Sequence, residues 1–502
     1  MVGVTYMLKD RIKKEELLNR VMSPQEAAVF IKDGMTVATS GFTPAGYPKA
    51  VPKALAERIK AKEEPFKINL YTGASVGDEL DGELARAKAI GKRLPYQTQK
   101  DCRRGINQGN IHYVDMHLSH VSDFVRYGFL GNIDVAIVEA VAITEEGFII
   151  PSTSLGNTPV FVETADIIIV EINTHHPLEL WGIHDVYQPE KPPFRKPIPI
   201  LKATDRIGDA FIRVDSKKIK AIVMTDIPDS IASFSEIDKA SEKMAEHLID
   251  FFHLEVNKKR LPQNLFPLQS GVGSVANAVL AGLVKSNFYD LVIYSEVIQD
   301  AVLDLIDNGT VKFASGSSLT LSPKGIERFY NNINYYKEKI LLRPQEISNS
   351  PEVIRRLGVI SMNTAIEIDI YGHVNSTNIM GTNMMNGIGG SGDFTRNAFI
   401  SIFTTPSIAK EGDISSIVPF VSHCDHSEHD VQVVVTEQGI ADLRGLSPKE
   451  KAKTIINNCA HPDYRHELLE YYNKGPNGHI KHQLNEALSW HMRYLQKKTM
   501  KR

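Results

Sequence analysis

The sequence predicts an α/β fold with a largely parallel sheet, and three observations favour it. First, short apolar runs rich in β-forming residues alternate with stretches of helical periodicity along most of the chain, as strands alternate with covering helices. Second, one such unit is complete in "NFYDLVIYSEVIQDAVLDLIDNG". An apolar run at 291–294 predicts a buried strand, residues 299–307 show helical spacing, and Asn308-Gly309 ends the helix. Third, the pattern is repeated within the chain.

The first well-marked element is a helix in "SPQEAAVFIKDG". Ser23 is suited to cap it, Pro24 suits its first position, and Glu26 completes a capping box. Gly34 is the expected end of this helix.

Three pairs of segments indicate an internal duplication. "TSGFTPAGYPKAVPKAL" near residue 40 corresponds to "QSGVGSVANAVLAGL" near residue 270, at an offset of 230 residues. "INLYTGASVGDEL" corresponds to "LVIYSEVIQDAVL", which aligns Tyr71 with Tyr294, and a third pair aligns Gly147 with Gly372, at offsets of 223 and 225 residues. We therefore expect two related α/β domains, 1–220 and 221–502, that join near residues 210–230.

Composition excludes several classes of protein. The 502 residues are 42% hydrophobic, enough for two or three cored domains, and the net charge is only −3. No long basic stripe points to nucleic acid, and no run of 18 apolar residues points to a membrane span. The N-terminus lacks an apolar signal core, and three scattered cysteines fit a reducing cytoplasm, where we expect the protein to be located.

Glu296 lies at the carboxyl end of the predicted strand 291–294, and ligands bind at that end of strands in open α/β sheets. It is a candidate ligand holder, a candidate catalyst, or simply the polar end of a strand. The aligned position in the first half is Gly73. Any chemistry at this position therefore belongs to the second half alone.

Two glycine loops are candidate binding elements. In "SGVGSVANAVLAGL", Gly271, Gly273 and Ala276 match the GxGxx(G/A) dinucleotide pattern, Ser274 is placed to cap the following helix, and Glu296 follows where an acid would hold a ribose. This motif alone fits an NAD-dependent oxidoreductase or an unliganded tight turn. The second loop, "NGIGGSGDF", holds four glycines without a Walker GKS or GKT. Such backbone N–H groups suit the oxyanion of an acyl transfer.

Two histidine-rich segments are less specific. "SHCDHSEHD" matches no zinc-ligand spacing, so we interpret it as a polar loop rather than a metal site. "INTHHPLELWGIHD", with His175, His176 and His184, is interpreted in the same way. It opens a proline-rich stretch that we expect to leave the first domain as a long irregular excursion.

Four motifs in one order resemble the acetyl-CoA hydrolase/transferase family of class I CoA-transferases: "QSGVGSVANAVLAGL", "YSEVIQDAVLDLIDNG", "MNGIGGSGDFTRNA" and "VVVTEQGIADLRGLSPKEKA". The likeness covers nearly the full length and favours succinyl-CoA and acetate as the substrate pair. It implies two tandem α/β domains with the active site between them, and a homodimer. CoA would act as a cosubstrate, with no metal.

The resemblance also implies roles for individual residues. Glu296 matches the family's catalytic glutamate, which attacks the acyl-CoA and carries a glutamyl-CoA thioester. Gly390 and Val272 match the two backbone donors of the oxyanion hole, and Asn349 matches an asparagine that contacts the reacting carbonyl. The turn Gly271, Val272, Gly273 and Ser274, with Gly390 and Lys410, resembles the CoA-binding surface.

The motifs leave two questions open. The stretch 214–259 contains no arginine to pair with a dicarboxylate. If this stretch lines the acyl pocket, acetyl, propionyl or butyryl groups are as plausible as succinyl. A transferase and an acetyl-CoA hydrolase share every motif and differ in whether water reaches the enzyme-bound thioester. The expected partners are acyl-CoA and small carboxylates, with the NAD-dependent oxidoreductase as a more distant alternative.

Overall fold

The computed structural model describes residues 8–62, 65–231, 237–271 and 273–502. The chain divides into two compact units. Unit 1 comprises Met1–Ser233, Ile293–Leu303 and Phe313–Arg356, and unit 2 comprises Phe234–Val292, Asp304–Lys312 and Leu357–Arg502. Unit 1 thus takes in two segments from the second half of the sequence, including the one that carries Glu296.

The first half of the chain forms an eight-stranded sheet in unit 1. Its seven-strand path runs in the order β4-β3-β2-β1-β5-β7-β8, with parallel neighbours, and β6 pairs antiparallel with β5. The nine residues of β5 are all buried, which is typical of a parallel strand covered on both faces. The strands are β1 Thr36–Thr39, β2 Ile68–Tyr71, β3 Ile90–Leu94, β4 His112–Tyr113, β5 Val135–Ile143, β6 Ile149–Pro151, β7 Ile167–Asn173 and β8 Ile219–Thr225.

Helices connect these strands and cover the sheet. The apolar core of this region gathers residues from helix α2 and from β1, β2, β5 and β8. The helices are α1 Pro24–Ala28, α2 Ala50–Lys62, α3 Glu83–Arg86, α4 Lys100–Asn107, α5 Leu118–Arg126 and α6 Thr158–Thr164. Three short 3₁₀ segments, Glu15–Arg20, Leu178–Leu180 and Ser216–Lys218, and a π-turn, Asp78–Gly82, complete this half.

The second half alternates strands and helices in the same way. Its strands are β9 Leu268–Ser270, β10 Leu291–Tyr294, β11 Val297–Ile298, β12 Val311–Gly316, β13 Ser318–Leu319, β14 Ile340–Leu342, β15 Ile360–Thr364, β16 Glu367–Asp369, β17 Val374–Asn375, β18 Asn378–Ile379, β19 Asn383–Met384, β20 Ile400–Thr404, β21 Ile408–Ala409, β22 Ile414–Ser415, β23 Ile417–Val418, β24 Val433–Thr436 and β25 Gly439–Asp442. Its helices are α7 Lys239–Asn257, α8 Ser274–Lys285, α9 Asp300–Asp307, α10 Pro323–Asn331, α11 Ile333–Lys337, α12 Gln345–Ser348, α13 Pro351–Leu357, α14 Ser391–Asn397, α15 Pro448–Cys459, α16 Pro462–Lys474 and α17 Ser489–Lys497, with a 3₁₀ turn at Lys410–Gly412.

The strand order confirms the duplication. Strands β9-β15-β20-β24 follow one another as β1-β5-β7-β8 do, and β10-β12-β14 repeat the order of β2-β3-β4. Aligned residues also behave alike. Tyr71 and Tyr294 are both buried, and each donates its hydroxyl to a backbone carbonyl, at 3.0 and 2.7 Å. Gly147 and Gly372 both have a positive φ, 92° and 98°. The predicted α/β class is therefore confirmed.

Several local predictions are confirmed and two are wrong in detail. The strand Leu291–Tyr294 and the helix stop at Gly309 (φ 79°) lie where the sequence predicts them. The capping box of α1 is present, but that helix ends at Ala28, well before Gly34. Ser274 does not cap α8: Gly273 takes the N-cap position with φ 118°, and Ser274 is the first helical residue. Among the described residues, no helix is both long and apolar enough to cross a bilayer.

Candidate active site

Glu296 occupies the short gap between β10 and β11 in unit 1. Its backbone carbonyl accepts hydrogen bonds from the N–H groups of Ser317 and Ser318, at 2.6 and 3.1 Å. Its side chain is only partly buried. The sequence prediction that Glu296 lies at the carboxyl end of a strand is correct, and two hydrogen bonds hold its backbone carbonyl in place.

Asn349 lies at the C-terminal end of helix α12, also in unit 1, and is fully buried. Its Nδ2 donates to Glu296 Oε1 at 2.7 Å, while its Oδ1 accepts from the Ser348 hydroxyl at 2.9 Å. Because Ser348 occupies the carbonyl end of the amide, the NH₂ end faces the carboxylate. The structure thus brings together two of the predicted site residues that are 53 positions apart.

Buried polar contacts connect helix α12 to helix α5. No local sequence pattern predicts these contacts. Gln345, one turn before Asn349, donates to the Leu118 carbonyl at 2.9 Å. Glu346 forms a two-pronged ion pair with Arg126, with both distances 2.9 Å. Burial raises the pKa of Glu346, and the Arg126 guanidinium opposes that shift. Removing either partner of such a buried pair leaves an uncompensated charge, which is strongly destabilising. The pair therefore helps to fix the position of helix α12 and of Asn349 at its end.

The first half of the chain has no room for a glutamate at Gly73, the position aligned with Glu296. A Cβ added to Gly73, the residue aligned with Glu296, would lie 2.7 Å from both the Asn157 nitrogen and the Gly41 carbonyl oxygen. These contacts are with backbone atoms, which cannot swing aside. The duplicated position is therefore closed to any side chain.

The glycine loop that contains Gly390 lies in unit 2. A turn closed by the Ser391 N–H and the Ile388 carbonyl, at 3.3 Å, has Gly389 and Gly390 as its central residues. Gly389 has φ 60°, whereas Gly390 has φ −91° and ψ 0° and is the N-cap residue of α14. The central N–H of such a turn, that of Gly390, takes no part in the closing bond and is available to an acceptor. Gly390 does not need a left-handed backbone.

The other glycine turn also lies in unit 2, between β9 and α8. Gly271 donates its N–H to the Met362 carbonyl at 3.3 Å, and the positive φ of Gly273 starts the helix. Val272, the predicted second oxyanion donor, lies outside the described residues. A buried polar chain connects the strand before this turn with α14: Gln269 Nε2 contacts Asn363 Oδ1 at 3.3 Å, and Asn363 Nδ2 contacts Thr395 Oγ1 at 3.2 Å. One buried network therefore joins strand β9, which precedes this turn, to helix α14, which follows the other glycine loop.

Lys410 lies on the surface of unit 2 in an unusual turn. Lys410, Glu411 and Gly412 have successive positive φ values of 51°, 57° and 94°. Two non-glycine residues in the left-handed region cost free energy, and such strain concentrates at functional sites. The Lys410 side chain is exposed to solvent.

The histidine segment of unit 1 contributes His176 to a buried polar cluster. Among the described residues, Glu139, His176 and Asp229 are a grouping whose donor atoms lie within 4.8 Å of one another. The Lys49 ammonium contacts Glu139 and Asp229 at 2.6 and 2.9 Å, so a cation of the protein already balances these carboxylates. His184 is also buried, and desolvation lowers its pKa to about 4.

This cluster leads to a prediction about acid stability. Burial opposes ionisation of Glu139, but Lys49 and His176 outweigh it and lower the pKa of Glu139 from 4.5 to about 2. Ionised Glu139 therefore stabilises the fold above pH 4.5, and this contribution is lost as the pH falls towards about 2. We expect the difference in unfolding free energy between wild type and Glu139→Gln to shrink between pH 5.5 and 3.5, measured by urea denaturation. A difference that stays constant over this range would contradict the assignment.

Comparison with known proteins gives the class of the molecule. The family model of the acetyl-CoA hydrolase/transferase N-terminal domain matches residues 6–224, and that of the C-terminal domain matches residues 325–472. A solved structure of 4-hydroxybutyrate CoA-transferase from Porphyromonas gingivalis has the same fold, with TM-score 0.63 at 23% identity, covering 91% of this chain and 98% of that one.

Three curated relatives cover nearly the whole chain. Succinyl-CoA:acetate CoA-transferase of Clostridium kluyveri is 56% identical over 98% of this chain and 92% of that protein. Propanoyl-CoA:succinate CoA transferase of Escherichia coli is 47% identical, with coverages of 94% and 96%, and acetyl-CoA hydrolase of Schizosaccharomyces pombe is 45% identical, with 99% of each chain covered. The fold and these matches define an enzyme of the CoA-transferase class. The chain belongs to the acetyl-CoA hydrolase/transferase family.

Proposed function

We propose that the enzyme moves CoA from an acyl-CoA to a free carboxylate, with Glu296 as the nucleophile. The observation that carries this proposal is the 2.7 Å hydrogen bond from Asn349 Nδ2 to Glu296 Oε1. It holds the carboxylate of a partly buried side chain in one orientation, as a nucleophile requires. A residue that only ended a strand would need no such support from a buried asparagine.

The first half of the reaction transfers CoA to the enzyme. A Glu296 carboxylate oxygen forms a bond to the thioester carbonyl carbon, and the C–S bond breaks to give a mixed anhydride and CoA thiolate. The thiolate then attacks the glutamyl carbonyl and expels the first acid as a carboxylate. The product is a glutamyl-CoA thioester on Glu296. Because thioester bonds are exchanged throughout, the cycle consumes no ATP.

The second half runs the same steps in reverse with another acid. The acceptor carboxylate attacks the glutamyl carbonyl and expels CoA thiolate, which then attacks the new anhydride at the acyl carbonyl and releases Glu296. Each attack creates an oxyanion. The Asn349 NH₂ is placed to donate to the glutamyl oxyanion, because it already contacts that oxygen in the resting carboxylate. We assign the Gly390 and Val272 amides to the acyl oxyanion, and the turn 271–274 with Lys410 to CoA.

For substrates we propose succinyl-CoA with acetate, or a short-chain acyl-CoA with acetate. The Clostridium kluyveri relative supports the first pair by its name, and the Escherichia coli relative supports exchange between a monocarboxylic acyl group and succinate. The absence of arginine from 214–259 keeps the monocarboxylic acyl groups as candidates. We also propose a homodimer in a reducing cytoplasm, with domains that meet near residue 220.

Acetyl-CoA hydrolase is the second candidate, because the Schizosaccharomyces pombe relative carries that name. We expect CoA transfer to acetate to exceed hydrolysis by at least about an order of magnitude, since an anhydride intermediate survives only where water is excluded. The measurement gives the enzyme succinyl-CoA or propionyl-CoA and follows free CoA without acetate, and new acetyl-CoA with acetate, by mass spectrometry. Equal rates of thioester loss with and without acetate, and no acetyl-CoA, would identify a hydrolase.

A further inference from the structure

The histidine-rich segment 422–430 reaches the glycine loop of unit 2. His426 is buried, and its Nε2 lies 3.1 Å from the Ser391 hydroxyl, directly after Gly390. The two residues are 35 positions apart. A segment with no recognisable ligand spacing therefore contacts the loop to which we assign the oxyanion donor.

Hydrogen-bond directions follow from the chemistry of the groups. The Ser391 hydroxyl has a single proton, and it donates to the Ile388 carbonyl at 2.7 Å. It therefore accepts from His426 in the tautomer with the proton on Nε2. The Ser376 hydroxyl, which donates to Asp425 Oδ2 at 3.3 Å, lies farther from the same nitrogen, at 3.5 Å. We call the two bonds, from His426 to the Ser391 hydroxyl and from that hydroxyl to the Ile388 carbonyl, the relay. The second of these bonds closes the turn that contains Gly390, in addition to the backbone bond between the same two residues.

His426 is itself held in place from several sides. Its backbone N–H and carbonyl both pair with Val374, at 3.1 and 2.9 Å, and its ring lies 4.9 Å from the Phe403 ring. The preceding residue, Asp425, accepts from the Ser376 N–H at 2.7 Å and from the Thr377 hydroxyl at 3.0 Å. The relay thus starts from a residue that several contacts within unit 2 hold in place.

We infer that His426 is a positioning residue that acts through Ser391 to fix the direction of the Gly390 amide during acyl transfer. This inference rests on the function proposed above. A hydrogen-bond donor helps an oxyanion only if it points at the place where the charge develops, and a small misdirection weakens it. A core histidine without this role would support folding but would not change the chemical step selectively.

The test compares His426→Leu, His426→Gln and Ser391→Ala with wild type. Leucine removes the donor, whereas the glutamine Nε2 is about as far from the backbone as that of histidine and can donate to Ser391. We expect His426→Leu and Ser391→Ala each to lower kcat for CoA transfer about 10-fold with little change in KM for acyl-CoA. The double variant should be no worse than either single one, because both interrupt one relay. His426→Gln should recover most of kcat.

Two outcomes of the kinetic comparison would overturn the inference. One is additive losses in the double variant. The other is a KM effect or a fall in thermal stability with kcat unchanged. If His426→Leu does not fold, Ser391→Ala still provides the test, because it removes only one oxygen atom and interrupts the same hydrogen bonds. A parallel assay for the CoA adduct on wild-type Glu296 separates the two levels: no adduct refutes the proposed function, whereas adduct formation at wild-type rate in the variants refutes only the positioning role.

Discussion

Glu296→Ala is expected to abolish CoA transfer while the protein stays folded and still binds CoA. Without a carboxylate at this position no anhydride and no enzyme-bound thioester can form, whereas the glycine turns of unit 2 remain intact. Steady-state transfer and the CoA-induced rise in melting temperature measure the two properties separately. Glu145→Ala, a change at an exposed carboxylate of the same unit, is the matched control and should have full activity.

Glu296→Asp is the sharper variant because it preserves the charge. Shortening the side chain by one methylene withdraws the carboxylate from the Asn349 amide, which now contacts it at 2.7 Å. A reacting group misplaced by about 1 Å commonly loses about 100-fold in rate, so we expect a fall in kcat of about that size. Near-normal turnover of Glu296→Asp would mean that Glu296 serves only as a charge.

The covalent intermediate gives the most direct observation. Wild-type enzyme given acyl-CoA without acceptor should carry CoA on the peptide that contains Glu296, and hydroxylamine should remove it. Digestion and mass spectrometry locate the adduct. Its attachment to any other residue would refute the mechanism.

The sequence predicts those features of the site that depend on residues close together in the chain. The apolar run before Glu296 and the helix after it are short-range patterns, and both lie where the sequence predicts them. The bond between Glu296 and Asn349 bridges 53 residues, and only the family resemblance pointed to Asn349. The ion pair of Arg126 with Glu346 spans 220 residues. No local periodicity reports contacts of that range, because the fold creates them.

The contacts of polar residues are also not predicted by residue type alone. The segment "SHCDHSEHD" has no zinc-ligand spacing, and its contact with Ser391 depends on how β17 and the loop after β23 are paired in unit 2. Conversely, Ser274 has the residue type of a helix cap but lies one position too late, since Gly273 adopts the conformation that begins the helix. Residue type alone does not determine position within a turn.

Gly390→Ala tests the assigned oxyanion donor, and the backbone geometry makes it a clean substitution. With φ −91° and ψ 0°, Gly390 has a conformation that alanine also adopts, so we expect little loss of stability. The added methyl group would crowd the acceptor of the Gly390 N–H. One oxyanion donor typically contributes about 3–4 kcal/mol, so we expect kcat to fall by about 100-fold or more.

The neighbouring glycine supplies the matched control. Gly389 has φ 60°, so Gly389→Ala forces alanine into the left-handed region, at a cost of about 1–2 kcal/mol of stability. We therefore expect Gly389→Ala to lower the melting temperature and Gly390→Ala to lower kcat with the melting temperature nearly unchanged. If Gly390→Ala kept near-normal turnover, or lost activity only in proportion to its stability, this loop would not provide the oxyanion donor. Gly389→Ala therefore reports on backbone strain in the turn, whereas Gly390→Ala reports on the role of the central amide in the reaction.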